Sequence, residues 1–376
     1  MKIICNREKL LHAFQTVASV APSRSPKAIL QNVKLELGDS TSGEGGAMLM
    51  ATDLEVGIRY DTPGIDVEVA GAVVLPTDRF GAILRESSDE TFRLESDGQN
   101  TSVRGERSQF NLPVANPSEY PPVAGFDEDS FYEVPARLLR ELIRRTLFAC
   151  DNESSRYALG GIKLEADGET LTAIATDGRR LAKMAGPVHA VGEPVGFGEA
   201  TIVPSRSMQL IERVVSDDDA EVQIAVRQNE VLVKTPRATV YSRLLEGRFP
   251  RWKEVFPQRT GSAKIELSVG PFSSAVRQAA IVTSDESRGV DFTFGEGSLV
   301  LAGKAAEIGQ SRVELPIGYD GQPITITLDP KYILEFMKVL DADKTFTLDL
   351  ADGDSAAVCS TDDGYGYVIM PLARDR

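Results

Sequence analysis

A strand–helix–strand–strand–strand pattern recurs along this chain, and no other feature constrains its fold so tightly. Val73 to Phe80, Thr201 to Met208 and Ile326 to Ile333 each read as a short apolar strand, a capping residue and a helix. Thr77, Ser205 and Asp329 are placed to accept hydrogen bonds from the free N–H groups of a first helical turn, and Pro330 suits the first helical position. Tyr332, Ile333, Phe336, Met337 and Leu340 share one helical face. Alternating strands follow: Phe92 and Leu94 before Asp97-Gly98, Val222, Ile224 and Val226 before Gln228-Asn229, and Phe346, Leu348 and Leu350 before Asp352-Gly353. Lys2 to Cys5, Phe131 to Val134 and Lys264 to Val269 open three further copies. Their helices carry Leu10, Leu11, Phe14 and Ala18, then Leu138, Leu139, Leu142 and Ile143, then Phe272, Val276 and Ala280. Met48 to Asp53 and Leu171 to Gly178 form hairpin strands whose Thr-Asp pairs, at 52 and 176, lie 124 residues apart. The reading is an α+β chain of six β-α-β-β-β modules, two to a domain. Pro-rich joints at Asn116 to Pro122 and Arg248 to Pro257 set the domains at 1–127, 128–258 and 259–376.

Few chemistries are open to such a chain. Its 376 residues include three distant cysteines, Cys5, Cys150 and Cys359, which read as buried thiols of a reducing compartment. No apolar run reaches the roughly 18 residues of a membrane span, and the N-terminus meets charge too early for a secretory signal; the expected location is the cytoplasm. The two histidines, His12 on a helix and His189 in a loop, leave little for a metal site or a triad. No phosphate-cradling loop or dinucleotide fingerprint occurs. Asp217-Asp218-Asp219 reads as a solvated turn, and Thr176 to Arg180 as an Asp-Gly turn rather than a catalytic loop. No catalytic residue, metal or cofactor is expected.

The net charge of -15 is unevenly spread. Segments 7–20, 78–86, 136–148, 205–215, 271–281 and 331–340 together carry +7, so the rest must carry -22. If the helices share a side, that side is positive and attracts phosphate without reading sequence. Arg137, Arg140, Arg144 and Arg145 lie off the apolar face of the third helix; scattered arginines on a solvated face are the plain alternative. One Trp and no aromatic-rich basic strand argue against single-strand stacking.

Six collinear segments then carry a resemblance: Thr52 to Glu55, Ser155 to Gly161, Ala175 to Leu181, Glu246 to Pro250, Ser287 to Val290 and Tyr367 to Leu372. Over essentially its whole length the chain resembles the bacterial DNA sliding clamp family, the beta subunit of DNA polymerase III. The resemblance implies a head-to-tail homodimeric ring, with sheets outside and twelve helices lining a channel for duplex DNA. It implies no enzyme, but a processivity factor that tethers replicative polymerase, clamp loader and repair proteins. Short linear motifs of these partners would enter a cleft using Leu159, Thr176, Gly178, Arg180, Leu181, Pro250, Val255, Tyr332, Val368, Met370, Pro371 and Leu372. These types suit an apolar pocket with a few orienting polar groups, although Leu181 and Val368 taken alone read as core. Family DNA contacts map onto Arg24 and Tyr157, and helix-face reasoning adds Arg79, Arg140, Arg144 and Arg206. Phe110, Ile281 and Val282 map onto the family's dimer seam.

Three departures bear on the cleft rim: Arg179 stands where a His is common, Glu254 where a basic residue can occur, and Ala373 to Arg376 run past the usual end. A peptide-binding scaffold of the same fold that does not bind DNA is the alternative function, which the basic helices disfavour.

Overall fold

The computed structural model describes all residues except 39–45, 152, 154–157, 199–200, 216–220, 258, 260, 285–286 and 374–376. The Asp39 to Gly46 insertion, Asp217 to Asp219 and the last three residues thus lie largely or wholly outside the described residues.

The six expected modules are present. The first pair runs β1 (Lys2–Asn6), α1 (Arg7–Ala18), β2 (Asn32–Leu37), β3 (Ala47–Thr52), β4 (Val56–Asp61) and an extra strand β5 (Ile65–Val69), then β6 (Gly71–Pro76), α2 (Thr77–Glu86), β7 (Thr91–Ser96), β8 (Asn100–Arg104) and β9 (Gln109–Pro113). The second runs β10 (Phe131–Pro135), α3 (Ala136–Arg144), β11 (Gly161–Asp167), β12 (Thr170–Thr176), β13 (Arg180–Pro187) and an extra strand β14 (His189–Val191), then β15 (Ile202–Pro204), α4 (Ser205–Val214), β16 (Glu221–Val226), β17 (Glu230–Lys234) and β18 (Ala238–Arg243). A short helix α5 (Trp252–Val255) precedes the third pair. That pair is β19 (Ala263–Ser268), α6 (Val269–Ala279), β20 (Val290–Gly295), β21 (Ser298–Ala305) and β22 (Gly309–Pro316), then β23 (Ile324–Leu328), α7 (Pro330–Lys338), β24 (Thr345–Leu350), β25 (Ala357–Ser360) and β26 (Gly366–Ile369).

The opening strand of each module crosses to the sheet of its sister module. β1 pairs with β7, β6 with β2, β10 with β16, β15 with β11, β19 with β24 and β23 with β20, all antiparallel. Every sister pair is interlocked by this exchange. The closing strands then join edge to edge. β4 pairs with β18 from Val56↔Ser242 to Tyr60↔Ala238, and β13 with β26 from Arg180↔Ile369 to Lys183↔Gly366. Among the described residues the result is four sheets of five, nine, eight and four strands.

Two compact units follow from these joins. One comprises Met1–Leu139, Val188–Gly196 and Arg206–Leu244; the other Arg140–Pro187, Phe197–Ser205 and Leu245–Arg376. The first holds the five- and nine-stranded sheets, and its α1 and α2 meet through Phe14 and Phe80, edge to face at 5.0 Å. In the second, Phe336 of α7 lies flat on Tyr367 at 5.0 Å and edge-on to Phe346 at 5.5 Å.

Several local expectations need correction. Asp329 caps α7 as expected, accepting from Lys331 N–H at 2.9 Å with Pro330 in the first position. Thr77 does not cap: it is already helical, and its hydroxyl donates to the Gln31 carbonyl at 2.8 Å. The third helix ends at Arg144 rather than continuing to 148: Thr146 N–H bonds the Ile143 carbonyl, three residues back, at 3.1 Å, and a 3-10 turn, Leu147–Ala149, follows. His189 lies in the edge strand β14, not in a loop. Cys5 and Cys359 are buried thiols, as expected, while Cys150 is only half-buried.

Phe336 is fully buried and contacts three aromatic rings. Phe336→Ala is expected to cost about 3–5 kcal/mol, read as a lower denaturant midpoint.

Candidate functional site

The turn from β12 to β13 is built by its own side chains. The Thr176 hydroxyl donates to the Arg180 carbonyl at 2.5 Å and accepts from Gly178 N–H at 3.0 Å. One Asp177 oxygen accepts from the N–H groups of Arg179 and Arg180 at 2.9 and 3.0 Å. Gly178 takes a φ of +83°, which glycine adopts without strain, and a side chain there would meet nothing within 4 Å.

Arg180 turns inward and is 7% exposed. Its guanidinium donates to Asp177 at 2.9 Å, to the Phe148 carbonyl at 2.7 Å and to the Glu335 carboxylate. It also lies over the Tyr332 ring, 4.5 Å from the centroid. Burial works against its charge, yet the Tyr367 oxygen and Glu335 outweigh it and hold the proton more tightly than in an ordinary arginine. Arg180 therefore locks α7 to the turn.

Strand β26 runs beside β13, with Leu181 opposite Val368. The chain then leaves the sheet. Met370 N–H donates to the Arg179 carbonyl at 2.9 Å, and Leu372 N–H to the Thr327 carbonyl at 2.9 Å. Leu181 and Val368 are 2% and 1% exposed and share a core cluster with Ala158, Ile174, Ile202, Phe249, Trp252 and Val358. Leu159, Thr176 and Tyr332 are buried as well. What reaches solvent is Met370 at 46%, Val255 at 47% and Gly178, with Pro250, Pro371 and Leu372 half-exposed. So the twelve cleft candidates divide into a buried frame and a short exposed apolar rim. The linker is anchored by aromatic residues that sequence reasoning passed over. Trp252 Nε1 donates to Glu165 at 3.3 Å, and Lys183 lies over the Trp252 and Phe256 rings at 5.7 and 4.8 Å. The signal for them was the aromatic residues inside the Pro-rich joint, of which Trp252 opens α5 and Phe256 follows it. Beside Pro250, a groove of about 560 Å³ is lined by Lys163, Glu165 and residues 247–254. A larger groove, about 1110 Å³, separates α6 from α7 and is lined by Arg179, Arg277, Arg288, Lys331 and Lys338, with Asp329 and Glu335.

The Thr52 to Val56 turn repeats this bonding in the other unit. Thr52 donates to the Val56 carbonyl, and Asp53 accepts from Glu55 and Val56 N–H. Leu54, at φ +81°, replaces Gly178. Where Met370 N–H meets the Arg179 carbonyl, Arg243 N–H meets that of Glu55, and the two side chains pair at 3.4 Å. Val123 fills the space over Gly57, where a Cβ would approach within 2.9 Å. An ion pair and an inserted valine thus close the position that is open and apolar in the other copy.

The DNA candidates are less uniform than their sequence suggests. Arg24 and Arg79 are exposed and have no ion-pair partner among the described residues. Arg144 is paired with Glu141 at 2.9 Å, and Arg206 with Asp53 at 2.6 Å. Arg140 is half-buried and engaged in an interaction. Arg145, counted on the basic helix face, lies past its end and is 13% exposed between Glu141 and Asp363, at 2.7 and 2.6 Å. Tyr157 lies outside the described residues. Of the seam candidates, Phe110 is on β9 and 37% exposed, Ile281 is 74% exposed, and Val282 is half-buried in the 3-10 turn after α6.

Models of the DNA polymerase III beta subunit match residues 1–124 (N-terminal domain), 133–251 (central domain) and 253–373 (C-terminal domain). The beta sliding clamp of Caulobacter vibrioides is 30% identical over 383 residues, covering 99% of this chain and all of its relative. The chain belongs to the beta sliding clamp family. The Chlamydia pneumoniae beta sliding clamp is 27% identical over 374 residues, covering 99% of each chain. A Pseudomonas aeruginosa sliding clamp solved bound to griselimycin superposes with a TM-score of 0.89 at 26% identity, covering both chains fully. As a beta sliding clamp, the chain is a non-catalytic processivity factor of DNA polymerase III. No described group of His, Cys, Asp and Glu could hold a metal ion, and no described helix is long and apolar enough to cross a membrane.

Arg180→Ala strands the Glu335 carboxylate and the Phe148 carbonyl. It is expected to destabilise the fold by about 3 kcal/mol, measured by denaturant unfolding against wild type.

Proposed function

We propose that this sliding clamp acts as a head-to-tail homodimeric ring that encircles duplex DNA and slides without reading sequence. The observation that carries this is the pair of closing strands left at sheet edges among the described residues, β9 and β22. Inside the chain, the closing strand of a pair's first module joins the closing strand of the next pair's second module, as β4 joins β18 and β13 joins β26. One more application of that rule sets β22 against β9 of a second copy, and the reciprocal contact closes the assembly. An exposed strand edge is a ready template for such pairing. Phe110 on β9 and Ile281 and Val282 beside β22 supply apolar side chains at the join. Domain boundaries near 127 and 259 and a cytoplasmic location complete this reading.

Topology, not adhesion, retains such a ring, so phosphate contacts stay weak. Arg24 and Arg79 are the best placed, being exposed and unpaired among the described residues. Tyr157 and Arg140 remain candidates; Arg144 and Arg206 would have to exchange an internal carboxylate for a phosphate. Replicative polymerase, clamp loader and repair proteins would bind through linear motifs at the rim of Gly178, Pro250, Val255, Met370, Pro371 and Leu372. Leu159, Thr176, Arg180, Leu181, Tyr332 and Val368 frame that rim from beneath.

Loaded protein should stay on nicked circular DNA and leave once the circle is cut; retention on linear DNA with free ends would refute encirclement. Phe110→Asp combined with Ile281→Asp is expected to yield monomers by sedimentation that no longer stay on circles. Deleting Met370 to Arg376 should abolish binding of polymerase tail peptides while leaving the dimer intact, scored by fluorescence anisotropy and sedimentation.

A further inference from the structure

The rim of the cleft carries a charge that its apolar residues do not explain. Arg179 follows Gly178 in the β12–β13 turn, and its carbonyl holds Met370 N–H at 2.9 Å, so it is fixed at the rim itself. Its side chain is exposed and has no ion-pair partner among the described residues. The nearby acids are already engaged. Asp177 serves the turn N–H groups and Arg180, Glu335 pairs with Arg180, and the buried Asp329 caps α7. The Tyr332 hydroxyl, foremost, holds the Arg179 guanidinium above its ordinary pKa. Tyr332 is itself clamped, with Arg180 over its ring at 4.5 Å and its carbonyl accepting from Tyr367 at 3.1 Å. Arg180 thus fixes Tyr332, which lines the same groove as Arg179. Arg277, Arg288, Lys331 and Lys338 line the same groove between α6 and α7 as Arg179.

We propose that Arg179, held at the rim by its backbone bond to Met370, reads a side-chain carboxylate in the linear motif of a partner protein. Partners of this chain then carry an Asp or Glu beside the apolar residues that meet Met370 and Leu372. A planar guanidinium at a fixed rim position pairs with a carboxylate in two-point geometry, which selects as well as attracts. This inference rests on the peptide-cleft reading.

The test uses the dimeric full-length protein and a fluorescent ten-residue peptide from the replicative polymerase tail, amidated at its C-terminus. Each peptide position is replaced in turn by Asp and by Asn, and affinities are measured by anisotropy. For wild type, Asp should bind about three- to five-fold tighter than Asn at one position, and the preference should shrink as salt rises. Arg179→Ala should erase the preference by weakening the Asp peptide more than the Asn peptide; Arg179→Lys should keep part of it. No Asp preference in wild type, or equal loss of both peptides in Arg179→Ala, overturns the proposal. So does an unchanged preference in Arg179→Ala with weaker retention on circular DNA, which would make Arg179 a phosphate contact. A Met370→Asp variant that binds every peptide as wild type does would instead refute the cleft itself.

Discussion

Backbone hydrogen bonding at strand edges governs this protein. A three-stranded meander leaves two open edges, and each edge must be paired, covered or used. Here the opening strand of every sister module covers one edge, which interlocks modules two by two. Closing strands pair across successive pairs at β4–β18 and β13–β26. Because those joins tie neighbouring pairs into common sheets, the compact units cut through the middle pair: β10 and β16 to β18 lie in one unit, β11 to β13 and β15 in the other. The repeat in the sequence and the cooperative bodies of the fold are therefore different divisions of one chain.

The β13–β26 join also places the candidate peptide site. Pairing brings the Thr176–Arg180 turn beside the chain's last strand, and the aromatic linker packs beneath both. The related β4–β18 join has the same turn chemistry but ends in the Glu55–Arg243 pair and the Val123 plug. Identical backbone geometry thus yields an open apolar rim in one place and a closed polar one in the other. A handful of side chains decides which: glycine or leucine at the tight position, methionine or arginine opposite it.

Much of this was legible beforehand. Alternation in Phe346, Leu348 and Leu350, the Asp329-Pro330 start of α7 and the Thr-Asp pairs each encode local structure through their immediate neighbours. Other features took shape only through distant partners. Arg145 looked like a solvent-facing cation, but Asp363, 218 residues away, holds it. Arg206, a DNA candidate by its helix face, is held by Asp53 and the Val20 carbonyl. Arg180, a cleft candidate, is also the buried tie between a turn and a helix. Charge on a helix face can be counted from sequence, whereas its availability depends on which carboxylates folding brings near.

The sequence by itself determined the module, its sixfold repetition and the excess of positive charge in the helical segments, because periodicity, capping and composition act within a few residues. Only the tertiary structure decided which strand completes which sheet, which closing strands lie at sheet edges, and which of two equivalent turns stays open. Those outcomes depend on backbone and side-chain contacts between residues far apart in the chain, and no local pattern records them.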